Sequence, residues 1–321
     1  MSIRVVLVND TSDQGHPGCE LVTGNFREHC ARHGMEVVGT VLHDAPDHAA
    51  QLKAYEGKYD AILLNGEGTM HDDRPKAVML MEAVKQAAPG TPRFLFNTVW
   101  QNNSTLNQYL PMFSRIYTRE SLSAGELVAS GAACRVVPDL VLATQVRSPQ
   151  GKSGGIIVTD AVRTSMSRAL FRYAMKHGLE FIPLQERIRK SILRKHPLAY
   201  LAAKLQGRLT VCEQGIRLME KFQRADLVIS GRFHGICLAL AMGRSAVAIA
   251  SNTHKIEGMM KDIGLWEGAV LSSVADLSSP ETMLAQGERD REKVQRYVEK
   301  AKTDIDAMFA EIKSVIEREK I

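Results

Sequence analysis

Between Asp226 and Gly264 the chain reads DLVISGRFHGICLALAMGRSAVAIASNTHKIEGMMKDIG, and this stretch constrains the fold more than any other. Leu227 to Ile229 is an apolar run of strand length, broken by Ser230 and Gly231. Gly235 to Met242 then has the length and periodicity of a helix, Ala246 to Ala250 forms a second apolar run after Gly243, and Ile256 opens another helix. Strands alternating with helices at this spacing require a parallel sheet with helical crossovers. Arg232 and His234 stand at the first strand-to-helix turn; Asn252, Thr253, His254 and Lys255 stand at the second. A helix start carries unpaired N–H groups and a partial positive charge, so a guanidinium, an imidazole and an ammonium placed there suit a phosphate or a carboxylate. Such turns lie at the carboxyl edge of an open parallel sheet, where ligands bind. Each residue also has an ordinary use, Arg232 in a surface ion pair and His234 as a helix-terminal residue. Arg232, His234, Asn252 and Lys255 together favour the anion site.

The same alternation organises the rest. Ile3 to Val8, Met35 to Leu42, Tyr59 to Leu64, Arg93 to Asn97 and Ser114 to Thr118 read as strands, with a helix over Cys19 to His33. The loop NDTSDQGHPG (9–18) is long for a connection and offers Asn9, Asp10, Asp13 and His16 to a ligand; it reads equally as a strand-to-helix link. The third strand delivers NGEGTMHDD, where Gly66 and Gly68 let the backbone approach a ligand. The spacing is neither a Walker A loop nor GxGxxG, so no nucleotide follows from it. Asp72 and Asp73 read as an N-cap for a helix at Pro75 rather than as metal ligands. Trp100 and Asn102, after the fourth strand, suit a sugar ring or a plain loop.

By composition Ser148 to Gly155 is a linker. It divides the chain into a domain over 1–147 and a domain over 152–285, with a C-terminal amphipathic helix over 286–321 whose stripe runs from Val294 through Phe309 to Ile316. That helix has a second expected role, packing back on the first domain.

No stretch approaches ~18 apolar residues, and the N-terminus enters a strand without a signal-peptide pattern. Five scattered cysteines, without CxxC or zinc spacing, argue for a reducing cytoplasm and no metal. The net charge of +5 is uneven: Arg187 to Arg208 holds seven Lys or Arg and no acid, with an apolar stripe of Ile188, Ile192, Leu201 and Leu205. This segment reads as a solvated helix packed on the sheet, or as a peripheral contact (187–208) with an anionic bilayer. Sparse aromatics and the absence of an RNA-binding signature exclude nucleic acid as a partner.

The segment SGRFHG, its apolar helix and short strand, and NTHKIEGMMKDIG resemble the C-terminal signature of the polysaccharide pyruvyl transferase family, an S-x-R-x-H turn followed by a Lys shortly before a Gly. Arg119-Glu120-Ser121 and Pro138-Asp139 fit the same pattern, so the resemblance spans most of residues 3–264. It implies an α/β fold of two Rossmann-like domains facing across a cleft, the GT-B-like arrangement, with the acceptor on the first domain and the donor on the second. The implied reaction is transfer of a pyruvyl group from phosphoenolpyruvate to sugar hydroxyls of a surface polysaccharide or its lipid-linked precursor, forming a ketal, with no cofactor. Arg232 would bind the donor carboxylate or phosphate bidentately, His234 would bind phosphate or act as acid, and Lys255 and Asn252 would hold the leaving phosphate. Glu67 departs from the all-glycine turn that family members often carry. It is the first candidate base for the acceptor hydroxyl, and Asp10 the second. Asp13, His16, Trp100 and Asn102 are candidate acceptor contacts. Two alternatives remain open: a GT-B glycosyltransferase using a CMP-activated α-keto acid sugar, whose donor also carries a carboxylate at the reacting carbon, and a non-catalytic anion- or glycan-binding protein.

Overall fold

Eight residues, IRVVLVND, form the first strand β1 (Ile3–Asp10), and seven of them are buried. Strands sealed on both faces require helices above and below the sheet, which a parallel arrangement supplies. The computed structural model describes residues 2–145, 154–211, 215–265 and 270–319. The expected linker over 148–155 lies, but for its last two residues, outside the described residues, as does the expected boundary at 147–152.

The chain divides into two units, one of residues 1–14, 22–140 and 301–321, the other of residues 15–21 and 141–300. In the first, β1 joins β2 (Met35–Leu42), β3 (Ala61–Glu67), β4 (Arg93–Thr98), β5 (Arg115–Thr118) and β6 (Arg135–Val136) in a sheet of order β2-β1-β3-β4-β5-β6. All five pairings are parallel. Helices α1 (Pro17–Arg32, whose residues up to 21 belong to the second unit), α2 (His48–Lys53), α3 (Pro75–Lys85) and α4 (Ser121–Ala129) alternate with the strands. On one face Val6, Val8, Ile62, Leu64 and Leu95 pack with Leu80, Met81 and Val84 of α3.

In the second unit the sheet order is β11-β10-β9-β7-β8, again all parallel, built from β7 (Ile156–Ala161), β8 (Glu180–Ile182), β9 (Leu227–Gly231), β10 (Ser245–Ile249) and β11 (Val270–Leu271). Between them run α5 (Thr164–Lys176), α6 (Glu186–Lys195), α7 (Pro197–Leu205), α8 (Gly215–Arg224), α9 (Phe233–Ala241) and α10 (Lys255–Ile263).

The last helix, α11 (Pro280–Glu319), starts before the periodic stripe, with Pro280 as its first residue, where a missing N–H is harmless. From Ala301 onward it belongs to the first unit. There Phe309 is fully buried, tilted against Phe26 and stacked on His29, with ring centroids 5.9 and 5.1 Å away. The Asp306 carboxylate meets His33 Nε2 at 3.0 Å and His29 Nδ1 at 3.7 Å. Glu311 bonds the guanidinia of Arg115 and Arg135.

Asp72 and Asp73 do not cap α3, whose N-cap is Arg74 without a side-chain bond. Asp73 instead accepts from the backbone N–H groups of Thr105 and Leu106 and from Ser104 Oγ. Its left-handed φ of 44° turns the carboxylate toward that neighbouring loop.

Candidate functional site

In each sheet the chain reverses its direction of growth once, and the carboxyl ends of the two strands flanking that reversal are where an open α/β sheet leaves a crevice. In the second unit these strands are β7 and β9. The first ends in Asp160 and Ala161, the second in Gly231, and Arg232 follows. Gly231 pairs in register with Ala161, and a Cβ on it would lie 2.4 Å from Ala161 Cβ, so close passage of the two strand ends requires glycine.

Arg232 is 6% exposed and paired. Its Nε and Nη2 reach the two carboxylate oxygens of fully buried Asp160 at 3.1 and 3.2 Å, and Nη2 also donates to Gln185 Oε1 at 2.9 Å. Bidentate binding of a donor anion by this edge, expected from the sequence, is therefore corrected: the edge is taken by Asp160. A guanidinium buried this deeply needs a carboxylate partner. Among the described residues Nη1 has no hydrogen-bond partner, and it keeps two N–H donors. Burial pushes the Asp160 carboxyl above its ordinary range, with the Arg232 charge opposing the shift. Ser230 Oγ accepts from the Arg232 N–H at 3.0 Å and from Thr159 Oγ1 at 2.7 Å, fixing the turn.

Arg232 is also the N-cap of α9, in extended conformation with no side-chain bond to the helix. His234, half-buried in the first turn, meets His16 edge-on with ring centroids 5.7 Å apart. His16, expected among acceptor contacts, belongs to the second unit and stands beside its basic turn. Its Nδ1 accepts from the Gly18 N–H at 3.1 Å. Burial, then the neighbouring His234 and Arg232, hold its pKa well below 6.5, so the ring is neutral near pH 7. Gly18 has no space for a side chain, since a Cβ there would lie 2.3 Å from His234 Cβ.

His16, Cys19 and His234 bring ligand atoms within 4.8 Å of one another. With Nδ1 of His16 accepting a backbone bond, the neutral ring carries its proton on Nε2, and an ion there would have to displace it.

At the neighbouring strand end, β10 leads to Asn252 and to Lys255, the first residue of α10. Lys255 is 7% exposed and its Nζ bonds Asn252 Oδ1 at 3.2 Å. The N-cap of α10, His254, makes no side-chain cap bond either. Parallel neighbours β9 and β10 thus present two helix starts at one sheet edge, each without a side-chain cap and with a cation in its first turn or at its cap. This arrangement favours an anion.

The first unit has its own reversal, between β1 and β3. Asn9, Glu67 and Asn97, at or near the ends of β1, β3 and β4, all have left-handed backbones with φ of 66°, 34° and 51°. Asn tolerates that conformation, whereas it is uncommon for Glu. Thr11 Oγ1 and Asn65 Nδ2 (3.1 Å) both donate to Glu67 Oε2, and Asn9 Nδ2 donates to the Asn65 carbonyl at 2.6 Å. Behind the turn the buried pair Arg119–Asp139, 2.9 Å apart, donates through Arg119 Nη2 to the Glu67 carbonyl.

Several expectations for this unit change. Trp100 is 1% exposed within the apolar core, so its indole offers no face to a sugar. Asp10 accepts from Thr23 Oγ1 at 2.7 Å and from the Ser12 N–H at 3.0 Å, both at Oδ1, just as Glu67 Oε2 accepts two bonds. Gly66 is needed for packing, since a Cβ would lie 2.1 Å from Thr98 Oγ1; Gly68 lies in the turn just after β3. Asp13 is exposed and accepts from Gln14, and exposed Asn102 donates to Asp72. The sequence reading missed Asp160, Gln185, Asn65 and Thr11. An acid closing the strand IIVTDA was the available signal for the first.

A family model described as polysaccharide pyruvyl transferase matches residues 17–253, from the first turn of α1 to the residues just before α10. No curated protein matches the chain. Among solved structures, the Methanocaldococcus jannaschii UDP-GlcNAc 2-epimerase in complex with UDP-GlcNAc and UDP is similar at a TM-score of 0.59 and 8% identity, covering 90% of this chain and 92% of that one. An S. aureus MnaA–UDP structure gives 0.56 and 10%, covering 91% and 90%. An alpha-glucosyltransferase in complex with UDP and DNA gives 0.54 and 11%, covering 99% and 100%. At such identities the likeness is one of fold, two parallel α/β sheets of the GT-B kind. The matched segment includes the turn of Arg232 and His234 and covers well over half of the 321 residues, and by that match the chain belongs to the polysaccharide pyruvyl transferase family.

Proposed function

We propose that this protein transfers a pyruvyl group from phosphoenolpyruvate to two hydroxyls of a saccharide acceptor, forming a ketal and releasing phosphate. The observation that carries the reading is the pair of adjacent helix starts bearing Arg232, His234 and Lys255 at one sheet edge. Phosphoenolpyruvate is small and carries about three negative charges at neutral pH, so it needs concentrated positive potential. Lys255 and the first turns of α9 and α10 supply it, with Arg232 adding the two donors of Nη1.

In the reaction a proton adds to the methylene carbon and the central carbon becomes oxocarbenium-like. One hydroxyl oxygen attacks that carbon, the bond to the phosphate oxygen breaks, and the second hydroxyl closes the ketal. Of the two hydroxyl protons, one balances the proton on the new methyl group and the other leaves on phosphate. His234 is the proposed acid. His16, held neutral beside it, keeps a second positive charge from forming there. Glu67 is the proposed base for the acceptor hydroxyl. A cytoplasmic enzyme acting on a surface polysaccharide or its lipid-linked precursor is the setting that fits this donor.

Binding by calorimetry with phosphoenolpyruvate and with a CMP-activated keto-sugar tests the donor, and NMR detection of the ketal with stoichiometric phosphate tests the reaction. Tight CMP-sugar binding with none for phosphoenolpyruvate would overturn the proposal in favour of a glycosyltransferase.

A further inference from the structure

Seven large apolar side chains are exposed among the described residues, and four of them fall between 193 and 205. Leu198 is 83% exposed, Leu201 54%, Leu205 80% and Leu193 47%. On α7 the first three recur at steps of three and four, within an arc of about 60° at ~100° per residue. Tyr200 and Ala203 occupy the opposite side and are buried against the unit's core. The helix therefore has two apolar faces: one is used by the fold, and the other points to solvent.

Cations frame the outer face. Arg194, Lys195, Lys204 and Arg208 are exposed and have no acidic partner among the described residues, whereas Arg189 and Lys190 pair with Glu186 at 2.5 and 3.4 Å. A leucine stripe set among unpaired cations matches the boundary between lipid headgroups and acyl chains, where leucines insert shallowly and cations meet anionic phosphates. Self-association through the same face would bring like charges together, so the charge pattern disfavours a second copy as the occupant. No helix among the described residues is long and apolar enough to cross a membrane, so the contact is one of surface insertion.

We infer that α6 and α7 form a docking surface for an anionic bilayer, with Leu198, Leu201 and Leu205 inserted and Arg194, Lys195, Lys204 and Arg208 at the headgroups. From sequence, Leu201 and Leu205 belong to one apolar stripe with Ile188 and Ile192; the structure divides that stripe in two. The two isoleucines are fully buried and the two leucines face outward, because Pro197 starts a separate helix.

Flotation of the full chain with vesicles of phosphatidylcholine, with and without about one-third phosphatidylglycerol, tests the inference. Binding to the anionic vesicles is expected, weakening with salt. A Leu198→Ser/Leu201→Ser/Leu205→Ser variant should bind at least ~10-fold more weakly. Lys204→Glu/Arg208→Glu should lose a similar factor on anionic vesicles and nothing on neutral ones. All these side chains are exposed, so an unchanged thermal midpoint serves as the control for folding. Equal binding to neutral vesicles, or full binding by the leucine variant, would overturn the inference. So would a concentration-dependent dimer that the leucine variant abolishes, which would assign the face to a second copy. Vesicle binding is read without donor or acceptor, so either outcome leaves the transfer chemistry untouched.

Discussion

Gly18 and His234 touch so closely that only a hydrogen fits between them: a Cβ on Gly18 would lie 2.3 Å from the histidine Cβ. Because the obstacle is the root of the side chain, a rotamer change of His234 cannot relieve it. Gly18→Ala should push the start of α1 and the His234 turn apart. We expect a stability loss of ~1–3 kcal/mol in urea unfolding and a fall in turnover larger than any change in acceptor KM. Wild-type turnover in this variant would mean that the His16–His234 contact has no catalytic consequence.

Asp160→Asn removes the counter-charge of Arg232 while keeping its shape. An unpaired buried guanidinium costs ~3–5 kcal/mol, which chemical denaturation would register as a lower midpoint at unchanged slope. The freed guanidinium edge should also bind inorganic phosphate or phosphoenolpyruvate more tightly than wild type does. Calorimetry on the folded variant measures this, and weaker binding would show that Asp160 itself contributes to the site.

His234→Asn should abolish turnover while acceptor binding persists, and Glu67→Gln should lower kcat with little change in donor affinity. Lys255→Met should act differently, raising the donor KM by ~10-fold or more through loss of a charge-assisted contact. Steady-state kinetics separate the three. Full activity in Glu67→Gln would remove it as the base.

Acid should loosen the protein through two rings. His16 and His29 both have pKa values lowered from 6.5, chiefly by burial. Both are neutral in the folded state near pH 7, while the unfolded chain takes up their protons below about 6.5. Proton uptake therefore favours unfolding: stability is full above that pH and falls as pH drops through it. Asp306 adds to the loss at lower pH, since its bond from His33 depresses its carboxyl pKa and the contribution disappears on protonation. Denaturant midpoints from pH 8 to pH 5 check this, and His29→Gln should flatten the upper part of the profile.

The elements and their kind were legible in the local order of residues. Apolar runs of strand length, polar turns and helical stripes follow from period and local sterics, so β2 matches its predicted bounds Met35–Leu42 and the turn at Arg232 and His234 lies at a strand end. Which side chains meet across those ends depended on long-range packing. Asp160 is 72 positions from Arg232, and His16 reaches His234 from the start of α1, so no local pattern brings either pair together. Burial then changed what the residues can do. A guanidinium removed from water must be neutralised nearby, so Arg232 gives its bidentate edge to Asp160, and an indole enclosed by apolar neighbours, as Trp100 is, fills a core instead of facing a sugar.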